Sequence, residues 1–87
     1  MERFGEKLHD LRKFHNVTLK WLANQLGYTT HSYISEIESG YKVPNVEFVL
    51  KTARLFNVST DDLLKDELEL NLQQSKLDIN YEPTIRR

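Results

Sequence analysis

Thr18-Leu19-Lys20-Trp21-Leu22-Ala23-Asn24-Gln25-Leu26-Gly27-Tyr28-Thr29-Thr30-His31-Ser32-Tyr33-Ile34-Ser35-Glu36-Ile37-Glu38-Ser39-Gly40-Tyr41-Lys42-Val43-Pro44-Asn45 is the stretch that decides the reading of this 87-residue chain. Thr18 is a good N-cap, because its hydroxyl can accept from a first-turn amide. Leu19, Leu22, Ala23 and Leu26 then fall at i, i+3, i+4 and i+7, one face of a short helix, and Gly27 closes it as a left-handed C-cap. Tyr28-Thr29-Thr30 reads as a turn in which either threonine can cap the next helix. That second short helix is predicted over His31–Ser39, with Ile34 and Ile37 inward and Gly40 at its end. With so few apolar positions, this helix has little packing reason to exist. Its outward face carries His31, Ser32, Ser35 and Glu36 near the N-terminal end. A DNA major groove admits one α-helix and displays donors and acceptors to it, and short polar side chains at the start of such a helix suit that task.

Outward from this pair the pattern stays helical. Phe4, Leu8 and Leu11 recur at helical spacing over about Arg3–Phe14, and Asn16-Val17 interrupts the pattern. Pro44 and Asn45 mark another start, with Asn45 as cap. Val46, Val49, Leu50, Ala53 and Phe56 read as the apolar stripe of a fourth helix. Ser59 caps a fifth, Asp62 three residues on resembles a capping box, and Leu63 and Leu64 point inward. Beyond Lys65 the periodicity changes. Leu68-Glu69-Leu70-Asn71-Leu72 and Leu77-Asp78-Ile79-Asn80-Tyr81 alternate with period two, which argues for strands. Leu64, Leu68 and Leu72 also fit a helical row, so the fifth helix could instead continue.

Composition bounds the function. The chain is long enough for one modest core, and its 39% apolar and 29% charged residues are ordinary for a globular domain. The absence of cysteine removes disulfides, thiolate metal sites and cysteine nucleophiles. His9, His15 and His31 lack metal-ligand spacing, and His9 and His15 read as solvated. No Gly-rich phosphate loop or nucleophile motif appears, so neither an enzyme nor a cofactor is expected. The N-terminus does not read as a secretory signal and no apolar run is long enough to span a bilayer, so a cytoplasmic protein without membrane contact is expected. The net charge is −1. Residues 1–57 hold eight Lys/Arg against six Asp/Glu, a balance of +2, and residues 58–87 hold four against seven, a balance of −3. That asymmetry hints at a half that faces a polyanion and a separate acidic tail.

The residues 18–27, then Ser32–Gly40, then Pro44-Asn45 and Phe56-Asn57-Val58-Ser59 together resemble the Cro/cI-type (XRE) helix-turn-helix family over about residues 3–65. The resemblance implies an all-α, five-helix, lambda-repressor-like domain over 1–65, followed here by a C-terminal extension over 66–87. It implies sequence-specific binding of double-stranded DNA by a transcriptional regulator, expected to be a repressor. An antitoxin-like protein-binding module on the same fold is the alternative. Base contacts would come from His31, Ser32 and, one turn later, Glu36, and Ser35 on the same outward face is counted among the DNA-binding residues. Phosphate contacts would come from Thr18, Thr30, Tyr41, Lys42 and Asn45. Leu19 stands where the family usually carries a polar residue, with Lys20 as the substitute contact, and the turn from Gly27 to Ile34 is one residue longer than usual. Arg12 and Glu38 match a frequent Arg–Glu pair of the family.

Several positions have two readings. His31 is either a base reader or a solvated residue. Glu36 either accepts from a cytosine amino group or is a surface charge that repels phosphate. Trp21 either packs against the first helix or offers an exposed contact. One short recognition helix reads few base pairs, so a homodimer on two half-sites is expected. Leu68, Leu70, Leu72, Leu77 and Ile79 are the dimerisation segment on this reading, pairing as strands with a second copy.

Overall fold

The computed structural model describes residues 2–78. Five α-helices follow one another, α1 (Phe4–Phe14), α2 (Leu19–Leu26), α3 (Ser32–Glu38), α4 (Val46–Phe56) and α5 (Thr60–Leu64), with a single 3-10 turn at Leu72–Gln74. The caps follow the sequence logic. Thr18 Oγ1 accepts from the Trp21 N–H at 3.0 Å, Asn45 Oδ1 from Phe48 at 2.8 Å, and Ser59 Oγ from Asp62 at 3.0 Å. Each hydroxyl or amide oxygen satisfies a first-turn donor that has no partner inside its helix. Gly27 takes the left-handed conformation that ends α2, with φ at 84°.

One core joins all five helices. Phe4, Leu8 and Leu11 of α1, Leu22 and Leu26 of α2, Ile34 and Ile37 of α3, Phe48, Leu55 and Phe56 of α4 and Leu63 of α5 are all buried. Trp21 is partly buried and packs against this core. Gly5 lies where α1 crosses α3. A Cβ there would sit 2.8 Å from the Glu38 carbonyl oxygen and closer still to that of Ile37, so the backbones approach in a way no larger residue allows.

α1 and the segment after α5 cap each other. Arg3 at the start of α1 supplies no side-chain cap. Instead the Asp66 carboxylate accepts from the Arg3 N–H at 2.9 Å and the Glu2 N–H at 3.0 Å, and these bonds, the Arg3 one first, hold its pKa below the usual carboxylate range. In return the ammonium of Lys7, a residue only 1% exposed, donates to the carbonyls of Asp62, Lys65 and Leu68. These are carbonyls at and beyond the end of α5, which the helix itself leaves unpaired. Arg3 also forks onto Glu69 at 2.9 and 3.1 Å.

Three expectations are corrected. First, no strand forms among the described residues of the C-terminal segment, and α5 does not continue past Leu64. Leu70, Leu72 and Leu77 are partly buried against the chain's own core, and Leu68 is half-buried. The backbone of this segment is tied to the end of α4: Lys76 N–H donates to Phe56 O at 3.1 Å, Asp78 N–H to Leu55 O at 2.8 Å, and Asn57 Nδ2 to Lys76 O at 2.6 Å. Alternating leucines thus serve an irregular segment that covers one end of the domain, not a ladder. Ile79 lies outside the described residues. Second, Val46 and Leu50 of α4 are not core residues, being 74% and 45% exposed. The inward row is Phe48, Val49, Thr52, Ala53, Leu55 and Phe56. Thr52 belongs to it because its hydroxyl donates to the Phe48 carbonyl at 2.8 Å, so burial leaves no polar atom without a partner. Third, His15 is not solvated. Its ring stacks on Phe56 at 5.5 Å and meets Ser75 Oγ through Nε2 at 2.9 Å, and burial lowers its pKa from 6.5.

Candidate nucleic-acid interface

α3 is seven residues long, too short to hold itself together without tertiary support. Three anchors fix it. Ile34 and Ile37 enter the core. Tyr33 joins a cluster with Tyr28 at 5.1 Å and Phe48 at 5.7 Å between ring centres. Glu38, the last residue of α3, is gripped by Arg12 of α1: Nε donates to Oε2 at 2.7 Å and Nη2 to Oε1 at 3.1 Å. The two side chains are 13% and 9% exposed. Arg12 Nη1 also reaches the Val17 carbonyl at 3.2 Å, and His9 Nδ1 meets Glu38 Oε1 at 3.0 Å. The pair therefore ties α1, the α1–α2 turn and α3 together.

With Ile34 and Ile37 buried, helical spacing turns Ser32, Ser35 and Glu36 to the opposite side, at i, i+3 and i+4. Ser32 and Ser35 are exposed and Glu36 is partly so. His31 is exposed immediately before Ser32. Thr30 is exposed as well, and its Oγ1 accepts from the Ser32 N–H at 3.1 Å, so the threonine rather than His31 caps the first turn. Ser32 and Ser35 hydroxyls, the His31 ring and the Glu36 carboxylate offer donors and acceptors of short reach.

The loop after α3 is built on the Glu36 backbone. Its carbonyl accepts from the Tyr41 N–H at 2.9 Å and the Lys42 N–H at 3.1 Å, and from the Ser39 hydroxyl at 3.0 Å. Gly40, with φ at 85°, permits this turn. Tyr41 is 77% exposed. The Lys42 ammonium lies 3.3 Å from the Glu36 carboxylate and 5.7 Å from the Tyr33 ring centre. Thr18 and Lys20 at the start of α2 and Asn45 at the start of α4 are all exposed. The oxygens of Thr18 and Asn45 are already committed as caps.

Sequence reasoning passed over the supports of this surface. Tyr28 and Tyr33 give α3 its aromatic base. Lys51 Nζ sits 5.3 Å from the Tyr28 ring centre, donates to the Leu26 carbonyl at 3.2 Å and pairs with Glu47 at 3.0 Å. It thereby tops the C-terminal end of α2. The signal available was an aromatic residue at each end of the α2–α3 turn.

Among the described residues no group of His, Asp and Glu is placed to hold a metal ion, and no helix is long and apolar enough to cross a membrane. Two short helices joined by a tight turn, with the second seated on α1 and presenting short polar side chains, define a helix-turn-helix. The family model described as helix-turn-helix domain matches residues 5–69, and the chain belongs to that family, in its XRE-type branch. It is 38% identical over 73 residues to the HTH-type transcriptional activator BcrR of Enterococcus faecalis, covering 84% of this chain and 35% of that protein. It is 37% identical over 62 residues to the HTH-type transcriptional regulator AnsR of Bacillus subtilis strain 168, covering 71% of this chain and 53% of that protein. The chain thus spans about a third of one relative and half of the other. No solved structure matches it.

Proposed function

We propose that this chain binds double-stranded DNA in a sequence-specific manner as a transcription regulator, reading bases with α3 and holding phosphates with the residues around it. The observation that carries the reading is α3 itself. It is pinned from behind by an aromatic cluster and the Arg12–Glu38 pair, and its outward side carries His31, Ser32, Ser35 and Glu36. The two curated relatives, named as a transcriptional activator and a transcriptional regulator, support it.

On this reading His31 and Ser32 meet base edges first and Ser35 follows one turn later. Thr18, Lys20, Thr30, Tyr41, Lys42 and Asn45 lie along the backbone, where most protein–DNA contacts are made. Thr18 and Thr30 act there by donating the hydroxyl hydrogen while the oxygen caps, and Asn45 by donating from its amide nitrogen. The Glu36–Lys42 ion pair gives the acidic residue a role. Paired, the carboxylate is neutralised and does not repel the approaching backbone. When Lys42 exchanges it for a phosphate, Glu36 is free to accept from a cytosine amino group.

The domain works as a homodimer in the cytoplasm, and represses wherever its site overlaps a promoter, since occupancy alone excludes polymerase. Selection of bound sequences from a random duplex pool tests the reading. Enrichment of a site with two related halves supports it. A pool that stays unenriched while the protein captures duplexes of every sequence alike overturns sequence-specific reading.

A further inference from the structure

The outward side of α4 is apolar where a solvent-facing helix should be polar. Val46 and Leu50 lie one turn apart and are exposed, as is Val43 before the helix, at 78%. Glu47, Lys51 and Arg54 border Val46 and Leu50 in one shallow groove. A second groove continues past Leu50 to Val49, Thr60 and Leu64. Leu70, Leu72 and Leu77 do not cover this side, because they pack against the core and their segment is tied to the far end of α4.

We infer that this face of α4 binds a second copy of the chain, the two α4 helices packing antiparallel across a two-fold axis at Leu50. The charge pattern selects this occupant. Glu47 lies three residues before Leu50 and Arg54 four residues after it, so both are on the Leu50 side of the helix. At about 1.5 Å per residue, they sit roughly 4.5 and 6 Å from the axis in opposite directions. An antiparallel copy reverses the order, so Glu47 of each chain falls opposite the other's Arg54, within about 1.5 Å of register. Arg54 has no ion-pair partner among the described residues of its own chain, whereas Glu47 holds only Lys51, at 3.0 Å. The surface is therefore complementary to itself, in charge as well as in apolar content.

Size agrees, and this point rests on the DNA-binding reading. The molecule measures 32 × 27 × 27 Å, so two copies in contact carry equivalent surfaces about one DNA turn, roughly 34 Å, apart. The apolar patch is small beside the roughly 800 Å² per partner of a stable interface, so a reversible dimer is expected, tightened by DNA.

The test uses the full chain and sedimentation equilibrium up to high micromolar concentration. Leu50→Glu, Glu47→Arg and Arg54→Glu should each weaken self-association by about tenfold or more, with circular dichroism unchanged. In the decisive arm, Glu47→Arg and Arg54→Glu chains are mixed in equal amounts. Each variant alone opposes like charges across the axis twice, whereas the mixed pair restores two opposite-charge contacts, so association should return to within a few-fold of the native level. A native chain that stays monomeric, single variants that associate like it, or a mixture no better than its components each overturn the inference. Binding of a single half-site is measured in parallel. It survives in the monomeric variants if the DNA reading holds, so failure of either idea shows separately.

Discussion

Replacing Arg12 by Met tests how α3 is held. The substitution keeps the aliphatic stem and removes four hydrogen bonds, two to Glu38, one to the Val17 carbonyl and a long one at 3.5 Å to His9 Nδ1. Exposed pairs contribute about 0–1 kcal/mol, whereas breaking a buried pair costs about 3–5 kcal/mol because the remaining charge is left without compensation. At 13% and 9% exposure the pair lies near the buried limit, and His9 still reaches Glu38 from its exposed side. A loss of about 2–4 kcal/mol follows. For a domain of this size, each kcal/mol lowers the melting midpoint by roughly 4–8 °C, so a fall of about 10–25 °C is expected. The assay is urea and thermal unfolding of Arg12→Met, Glu38→Gln and the double variant. Because Glu38→Gln removes the stranded charge, the double variant should be more stable than Arg12→Met alone. A single variant within about 1 kcal/mol of native, or a double variant whose loss is the sum of the two singles, would refute the reasoning.

Three further outcomes follow from the same geometry. Lys7→Met takes the ammonium away from the carbonyls of Asp62, Lys65 and Leu68, of which that of Lys65 keeps the Leu68 N–H, and should destabilise by about 2–4 kcal/mol in chemical unfolding; a neutral result would mean that water replaces the ammonium. Gly5→Ala forces α1 and α3 apart at the Ile37 and Glu38 carbonyls, so it should lower both stability and DNA affinity, and an unchanged melting midpoint would remove the close-approach argument. Stability should fall with acid in two stages: burial depresses the His15 pKa below 6.5, so its contribution is present above about 6.5 and declines as pH falls below that value, whereas Asp66 and Glu69, lowered by their bonds to Arg3, contribute above about pH 4 and lose it in stronger acid. His15→Gln should erase the upper stage alone, and a melting midpoint flat between about pH 7 and 5.5 in the native chain would count against it.

The helices were legible because local rules set them. Thr18, Asn45 and Ser59 cap as their side chains require, Gly27 ends α2, and the inward rows of α1, α2 and α3 follow the helical period. α4 was read in part: Val49, Ala53 and Phe56 are buried as expected, but Val46 and Leu50 continue their stripe as regularly as Phe48, Thr52 and Leu55, which are buried instead. The choice between them was made by the core. Phe48 fills the space among Phe4, Tyr28 and Tyr33, and Thr52 enters it by satisfying its hydroxyl on the backbone. Neither fact is visible in a hydrophobicity pattern. The C-terminal leucines alternate, but the amides of their segment bond the last turn of α4, a long-range pairing no local period encodes. His15 and Lys7 were missed for the same reason, since a ring stack on Phe56 and three carbonyls 55 or more residues away exist only once the chain has folded. At the interface, the residue types on α3 could be read from sequence. The Glu36–Lys42 pair and the tyrosine base beneath α3 required the fold.

The central claim is that α3 reads bases while Lys42 holds the backbone, and the comparison of three alanine variants on a selected duplex tests it most directly. Lys42→Ala should weaken binding to all sequences alike and reduce the slope of affinity against salt by about one phosphate. His31→Ala and Ser32→Ala should instead change which bases are preferred, at about 1–3 kcal/mol for each good base-edge interaction removed, with the salt slope unchanged. If Lys42→Ala alters base preference while the His31 and Ser32 variants leave it as it was, the assignment of α3 as the reading helix is wrong.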